Sequence, residues 1–272
     1  MKPLIITAAI VGAEVMREHT PFIPYTPDEI AAEAQRCYEA GASIVHVHGR
    51  RDDGTPTQDR DTYEKVLTAI SERCPLIVQF STGGAVGMTV EERIEALVLA
   101  PEMATLTTGT VNFGDDVFLN SLPMIREIAG NLQSAGITPE IEVFDAAMIE
   151  NALDLLEAGL LELPLHFDFV LGVPGALKAQ EENLDFLCSK LPPDSTWSVA
   201  AMGRHQIPMA TLAIQKGGHV RVGLEDNIYL RKGVLAKGSY QLVEVIAEKA
   251  AEFGRPIASP AETRRILGLM PR

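Results

Sequence analysis

Ser43-Ile44-Val45-His46-Val47-His48 reads as a short strand, because β-branched residues fill the positions between the two histidines. Side chains on a strand alternate faces, so Val45 and Val47 share one side while Ile44, His46 and His48 share the other. The stretch His219-Val-Arg-Val-Gly-Leu-Glu225-Asp226 repeats the pattern: Val220, Val222 and Leu224 face one way, Arg221, Gly223 and Glu225 the other. Three more segments follow suit. Gln79 and Ser81 oppose Val78 and Phe80, Glu140 and Glu142 oppose Ile141 and Val143, and His166 and Asp168 oppose Phe167 and Phe169. In a closed barrel the apolar phase packs outward against helices, which turns the polar phase inward. Polar groups crowded into one interior are costly unless they are paired or serve a site, and here they crowd toward the C-terminal strand ends, where barrel sites form.

Working outward, eight strand candidates begin near Leu4, Ser43, Leu76, Met103, Glu140, His166, Thr196 and His219. Their spacing is about 31 residues, the length of a βαβ unit. The intervals carry helix signals. Thr26-Pro27-Asp28-Glu29 offers a capping hydroxyl, a first-turn proline and a reciprocal glutamate, and Gly41 ends that helix. Thr89 and Glu92 form a second capping box, and Ser259-Pro260-Ala261-Glu262 opens a short C-terminal helix. Tyr63, Val66, Leu67 and Ile70 make one apolar helical stripe, as Met148, Ala152, Leu155 and Leu156 make another. The expectation is an α/β protein, a (β/α)8 TIM barrel forming a single domain over residues 1–272 with a short C-terminal helical extension.

Composition fits that reading. Of 272 residues, 46% are hydrophobic and 22% charged, enough for a large core. A net charge of −14 would repel phosphate backbones and anionic lipid, so neither nucleic acid nor a membrane is expected as a partner. An anionic substrate would therefore need locally basic residues. The N-terminus shows no signal-peptide pattern, and no apolar run reaches the length of a membrane span. Cys37, Cys74 and Cys188 lack the spacing of a structural metal site and read as reduced core thiols. The expectation is a cytoplasmic protein.

His46 and His48 lie about 6.6 Å apart along one strand face. Barrel closure makes the second and eighth strands the two neighbours of the first, so Glu225 can reach the same point, with Glu14 between them. Two imidazoles and one carboxylate suit a catalytic zinc ion with an open position, although manganese, iron or nickel would fit nearly as well. A bare His-x-His is also found as a packed or hydrogen-bonded pair. Asp226 reads either as a general base positioned by Arg221 or Arg231, which would keep it ionised, or as a structural cap of the next loop. Ser81-Thr82-Gly83-Gly84 reads either as an anion-binding turn or as a plain tight turn, and Thr107 and Thr108 offer further donors. His166 sits near the barrel floor and suggests a core hydrogen bond. His19 belongs to a loop whose Pro-rich part, Thr20 to Tyr25, suggests a lid, and Gly172-Val-Pro-Gly175 suggests a mobile loop. Arg204, Arg231, Lys232 and Lys237 follow the seventh and eighth strands, where barrels usually hold phosphate.

The segments His46-Val-His48-Gly-Arg50, Ser81-Thr-Gly-Gly84, Pro101-Glu-Met-Ala104, Pro139-Glu-Ile-Glu-Val-Phe144, Phe169-Val-Leu-Gly-Val-Pro174 and Arg221-Val-Gly-Leu-Glu-Asp-Asn227 together resemble the β-keto acid cleavage enzyme family over essentially the whole chain. The resemblance implies a zinc barrel, homo-oligomeric and by likeness tetrameric. Its reaction would convert a β-keto acid and acetyl-CoA into acetoacetate and a new acyl-CoA, a C–C bond-cleaving acyl transfer. It implies His46, His48 and Glu225 as metal ligands and Asp226 as the base, supported by Arg221. Glu14 would line the site, with hydroxyls near Ser81, Thr82 and Thr107 holding the substrate carboxylate, and Glu142 would pair with an amine on an amino-keto acid. The competing readings are an amidohydrolase-type hydrolase or a metal-dependent lyase that does without acetyl-CoA, and a non-catalytic binding barrel.

Overall fold

Eight parallel strands close in chain order: β1 (Ile6–Val11), β2 (Ile44–Val47), β3 (Ile77–Phe80), β4 (Met103–Thr107), β5 (Thr138–Val143), β6 (His166–Leu171), β7 (Thr196–Ala201) and β8 (His219–Val222). β8 pairs back onto β1, with Thr7 opposite Arg221 and Ala9 opposite His46 on the other flank. This architecture comes from a computed structural model that describes residues 2–269. The inward phase carries Thr7, His46, Gln79, Thr105, Glu140, Asp168, Ser198 and Arg221, all buried, while the outward valines, isoleucines and phenylalanines join the core under the helices.

The helices are α1 (Pro27–Ala40), α2 (Arg60–Arg73), α3 (Val90–Ile94, continued by a 3-10 turn over Glu95–Leu99), α4 (Leu122–Ala135), α5 (Ala146–Glu157), α6 (Glu181–Cys188), α7 (Gln206–Lys216), α8 (Ser239–Glu252) and α9 (Pro260–Leu267). Three begin with complete capping boxes, Thr26 with Glu29, Thr89 with Glu92 and Ser259 with Glu262, as their sequences require. Gly41 stops α1 at φ 114°, a left-handed value that favours glycine. Tyr63, Val66 and Ile70 bury the inner face of α2, and Met148, Ala152 and Leu155 that of α5. Cys37 and Cys74 are buried thiols and Cys188 is half-buried.

The barrel is sorted into layers. At the floor Ile5, Ile44, Ile77 and Met103 meet Ala258, Leu267 and Leu269, so the α9 extension plugs the bottom with apolar side chains. The plug is tied to β1 by backbone bonds from Leu4 N–H to Pro256 O (2.7 Å) and from Ala258 N–H to Leu4 O (2.8 Å). Just above it His166 bonds Thr196 Oγ1 at 2.8 Å and faces Glu140 at 3.1 Å, the interior hydrogen-bonding role its position suggested. The titratable groups follow above, toward the mouth. Between Ala9 and Val11 the register of β1 on β2 slips by a residue, a bulge beside His46.

Three small hairpins decorate the mouth after β2, β4 and β8: Gly49–Arg50 with Pro56–Thr57, Val111–Phe113 with Asp116–Phe118, and Tyr229–Arg231 with Val234–Leu235. Each turns on a left-handed glycine, Gly54, Gly114 or Gly233, a turn signal present in the sequence and left unread there. Two loop expectations change. The Thr20 to Tyr25 segment is not a free lid: Thr20, Ile23 and Tyr25 are buried, and Tyr25 lies under the Arg50 guanidinium. The Gly172 to Gly175 loop is held in place, with Val173 buried and Pro174 O accepting the Gly114 N–H at 3.0 Å.

Leu267→Ala empties part of the floor, and the expected cost is about 2–5 kcal/mol, read as a lowered midpoint in denaturant unfolding while the secondary-structure signal of the native state persists.

Candidate active site

At the mouth, β2 delivers His46 and His48 from one side and the turn after β8 delivers Glu225 from the other. The Nε2 atoms of both imidazoles stand 3.5 Å from Glu225 Oε1, and the rings meet edge to face with centroids 5.3 Å apart. One ligand atom from each of the three lies within 4.8 Å of the other two. Backbone geometry brings them this close. Gly12 and Gly223 are the close-approach points: a Cβ on Gly12 would overlap the Glu225 side chain, and one on Gly223 would overlap the Ala9 carbonyl.

The donor set fits a divalent cation. His46 Nδ1 sits 2.7 Å from Gln79 Oε1, so Nδ1 carries the proton and the Nε2 lone pair faces Glu225. Burial lowers the His46 pKa to about 4 against the pull of Glu225, which keeps the imidazole neutral, as a ligand must be. Burial alone would raise the Glu225 carboxyl, but Arg221, His46 and His48 outweigh it and hold it well below the usual carboxylate range. Glu225 Oε2 is buried without a hydrogen-bond partner. Two imidazole nitrogens and one carboxylate, whose second oxygen is unpartnered, fit zinc coordination with an open position.

Arg221 organises the acids. Its Nε and Nη2 donate to the two Asp226 oxygens, each at 3.1 Å, its Nη2 also donates to Glu225 Oε1 at 2.6 Å, and its Nη1 donates to Glu142 Oε1 at 3.3 Å. Asp168 Oδ2 lies 3.9 Å from Nη1, deeper in the barrel. Burial works against the guanidinium charge, but Asp226, Glu225, Asp168 and Glu142 outweigh it and raise the Arg221 pKa well above normal. Burial raises the Asp226 pKa to about 6 even with Arg221 beside it. Burial and the like charge of Glu225 thus shift the carboxyl up, opposite to the direction an arginine partner alone would give, while a pKa of about 6 still leaves it ionised at neutral pH as expected. Burial and then Glu140 push the Asp168 carboxyl well up, and burial raises Glu142 as well.

Asp226 reaches the pocket for a reason that strand phase does not contain. β8 ends at Val222, and the chain turns, with the Asp226 and Asn227 N–H groups donating to Gly223 O at 3.3 and 3.0 Å. The turn rotates Asp226 back over Arg221; the alternative partner, Arg231, is exposed on the hairpin.

Other sequence candidates divide. Glu14, Ser81, Gly83, Gly84 and Glu142 line the pocket beside His48, Arg221, Glu225 and Asp226. Thr82 does not: it is fully buried, and its hydroxyl donates to Thr105 O at 2.7 Å. Thr107 is also buried and donates to Glu142 Oε2 at 2.6 Å, so it holds Glu142 instead of facing the pocket. Thr108 donates to Met148 O at 2.8 Å. Exposed His19 accepts the Met16 N–H at 3.0 Å, away from the three ligand candidates. Residues without an assigned role in the sequence reading matter here: Gln79 orients His46, and buried Arg50 donates to Val15 O at 3.0 Å and to Gly12 O, bracketing the loop that carries Glu14. The polar phase of β3 contained the Gln79 signal; nothing local announced Arg50 as a backbone clamp.

Fold and pocket define an enzyme of the (β/α)8 class with a His-His-Glu cluster at its mouth. The family described as beta-keto acid cleavage enzyme matches residues 3–269. The chain is 52% identical over 271 residues, covering 99% of each protein, to the 3-keto-5-aminohexanoate cleavage enzyme of Acetoanaerobium sticklandii, and 54% identical with the same coverage to that of Fusobacterium nucleatum. It is 40% identical to the 3-oxoadipate:acetyl-CoA acetyltransferase of Cupriavidus necator, covering 98% of this chain and 95% of that one. Among solved structures, ObcA in a ternary complex with a C4-CoA adduct and oxalate aligns with a TM-score of 0.78 at 23% identity, over 92% of this chain and 68% of that one, a likeness of fold. The chain belongs to the beta-keto acid cleavage enzyme family, and it is an enzyme of carbon–carbon bond cleavage and acyl transfer, which displaces the hydrolase and binding-protein readings.

Gln79→Leu removes the acceptor that fixes His46; divalent-metal affinity, read by chelator competition with zinc or cobalt, is expected to fall about 10–100-fold.

Proposed function

We propose that the protein converts a β-keto acid and acetyl-CoA into acetoacetate and a new acyl-CoA, with a divalent cation, zinc by its donor set, held by His46, His48 and Glu225, and that its preferred keto acid carries an amino group. The observation that carries this reading is the convergence of those three ligand atoms at the edge of a pocket lined by His48, Glu225 and an arginine-clamped Asp226. The bound cation supplies Lewis-acid polarisation of the keto oxygen, which acidifies the adjacent CH2.

The chain's own residues do the rest. Asp226, oriented by Nε and Nη2 of Arg221, takes a proton from the carbon between the keto and carboxylate groups. That carbon attacks the acetyl carbonyl of acetyl-CoA, and the thiolate leaves. The thiolate then adds to the former keto carbon, the bond between that carbon and the α-carbon breaks, and the released acetoacetate carbanion recovers a proton from Asp226. Ser81 and the Gly83-Gly84 turn offer hydroxyl and backbone donors to the substrate carboxylate.

Charge balance favours an amine. Glu14, Glu142, Glu225 and Asp226 line the pocket against a single guanidinium, Arg221. An ammonium on the keto acid relieves that excess of carboxylates, whereas a plain keto acid adds a further negative charge to it. Glu142, lining the pocket and fixed by Thr107, is the carboxylate placed to pair with the ammonium. Two relatives named as 3-keto-5-aminohexanoate cleavage enzymes support the same substrate class.

Purified protein given acetyl-CoA and a panel of β-keto acids should form acetoacetate, fastest with amino-keto acids; no acetoacetate from any member, with metal bound, would overturn the reading. Asp226→Asn should retain metal and lose on the order of 10²–10⁴ in kcat. Glu142→Gln should lower kcat/KM about 10–100-fold for an amino-keto acid and leave the less favoured plain keto acids largely unaffected, so an equal loss on both classes removes Glu142 from specificity.

A further inference from the structure

Charge on the barrel mouth is divided by side. Loops after β1, β2 and β4 carry exposed Glu14, Glu18, Asp52, Asp53, Asp115 and Asp116 against the exposed cations Arg17, paired with Glu29, and Arg51. Loops after β6, β7 and β8 are different: residues 172–180 and 202–205 contain no aspartate or glutamate, and residues 223–238 contain none beyond Glu225 and Asp226 of the site itself. They present exposed Lys178, Arg204, Arg231, Lys232 and Lys237, and among the described residues none of these five forms an ion pair. On a chain with net charge −14 a rim of unpaired cations has to be maintained against the overall balance.

The rim is mounted on the active site. Gly203 N–H, one residue before Arg204, donates to Asp226 O at 2.8 Å. Asn227, directly after Asp226, braces the base of the hairpin: its Nδ2 donates to Tyr229 O at 2.7 Å and its Oδ1 accepts the Tyr229 N–H at 3.0 Å. The hairpin Tyr229–Arg231 with Val234–Leu235 therefore holds Arg231 and Lys232 at a fixed offset from the reacting centre. Beside the acids, Val170 of β6 and Val173 and Met202 from the loops after β6 and β7 give the pocket an apolar stretch of wall. Tyr229 shows an exposed aromatic face at the outer end.

Resting on the acetyl-CoA reading above, we infer that Arg204, Arg231 and Lys232, with Lys178 and Lys237 at the flanks, form the docking site for the nucleotide phosphates of the thioester, while Val170, Val173 and Met202 line the path of its pantetheine arm to Asp226. The ligand chemistry is matched in order: thioester beside the acids, an uncharged amphipathic chain along the apolar wall, then phosphates among cations. Tyr229 is placed to stack on the base. Barrels often seat phosphate at a helix N-terminus after the last strands, but here α8 is already supplied from within, since Glu33 Oε1 accepts the Tyr240 N–H at 3.0 Å and crowds Gly238. That leaves the side-chain rim to meet the phosphates.

The test compares acetyl-CoA with acetyl-pantetheine, which keeps the thioester and lacks the nucleotide. In the metal-loaded enzyme the double variant R231E/K232E should reduce the preference for acetyl-CoA over acetyl-pantetheine, as a ratio of kcat/KM values, by on the order of tenfold or more. Added salt should erode the same preference in the parent enzyme and hardly at all in the variant. A preference within about twofold of the parent, in a variant that unfolds at the parent's midpoint, overturns the docking site. Calorimetric titration of free CoA separates the two readings: binding by the parent that weakens in R231E/K232E supports the rim even if no acetoacetate is formed, whereas acetoacetate formation with CoA binding unchanged by the double variant supports the activity and rejects the rim.

Discussion

One buried guanidinium makes the rest of the site tenable. Glu142, Asp168, Glu225 and Asp226 all approach Arg221 within 4 Å, and without it these acids would repel one another in a medium that screens poorly. Arg221 is itself buried, so the pairing works in both directions: each charge offsets the desolvation of the others. The planar fork is essential to this, because Nε and Nη2 grip Asp226 from one edge while Nη1 faces the acids below. A lysine would offer one point charge and would fix none of these orientations.

The fold supports that cluster by keeping every backbone close to its neighbour where the ligands meet. Gly223 lets β8 lie against the Ala9 carbonyl, and Gly12 lets the β1 loop lie against Glu225. The apolar floor and the polar middle are two halves of one device: Leu267 and its neighbours exclude water from below, so the titratable groups above it sit in a medium where burial can push the Asp226 carboxyl up and hold His46 neutral. The same exclusion that makes the acids costly to bury tunes the base and the ligand.

Periodicity made the barrel legible. Side-chain phase alone places His46, Arg221, Glu142 and Asp168 inside, and strand starts read from the sequence fall at most two residues from their observed places. Capping boxes fixed three helix starts because cap chemistry is local. Phase stopped being informative where strands end. Asp226 entered the site through a turn at Gly223, and Thr82 and Thr107 left it because their hydroxyls found partners inside the barrel. Neither outcome depends on sequence neighbours; both depend on what the adjacent strand presents. The mouth hairpins carried glycine turn signals, but their packing on neighbouring loops, such as Gly114 on Pro174, is set by three-dimensional proximity alone.

The acid-rich and cation-rich halves of the mouth answer a problem posed by the composition. A protein of net charge −14 repels the anions on which acyl transfer from a phosphate-bearing thioester depends. Scattered lysines would neutralise that field only weakly, because each would be screened beyond about 8–10 Å at ordinary ionic strength. Gathering Arg204, Arg231 and Lys232 on loops whose only acids are Glu225 and Asp226 of the site creates a local field of the opposite sign. Gly203 and Asn227 tie those loops to Asp226 and its flanking residues, so the proposed anion-attracting surface and the Asp226 carboxylate are joined through three hydrogen bonds.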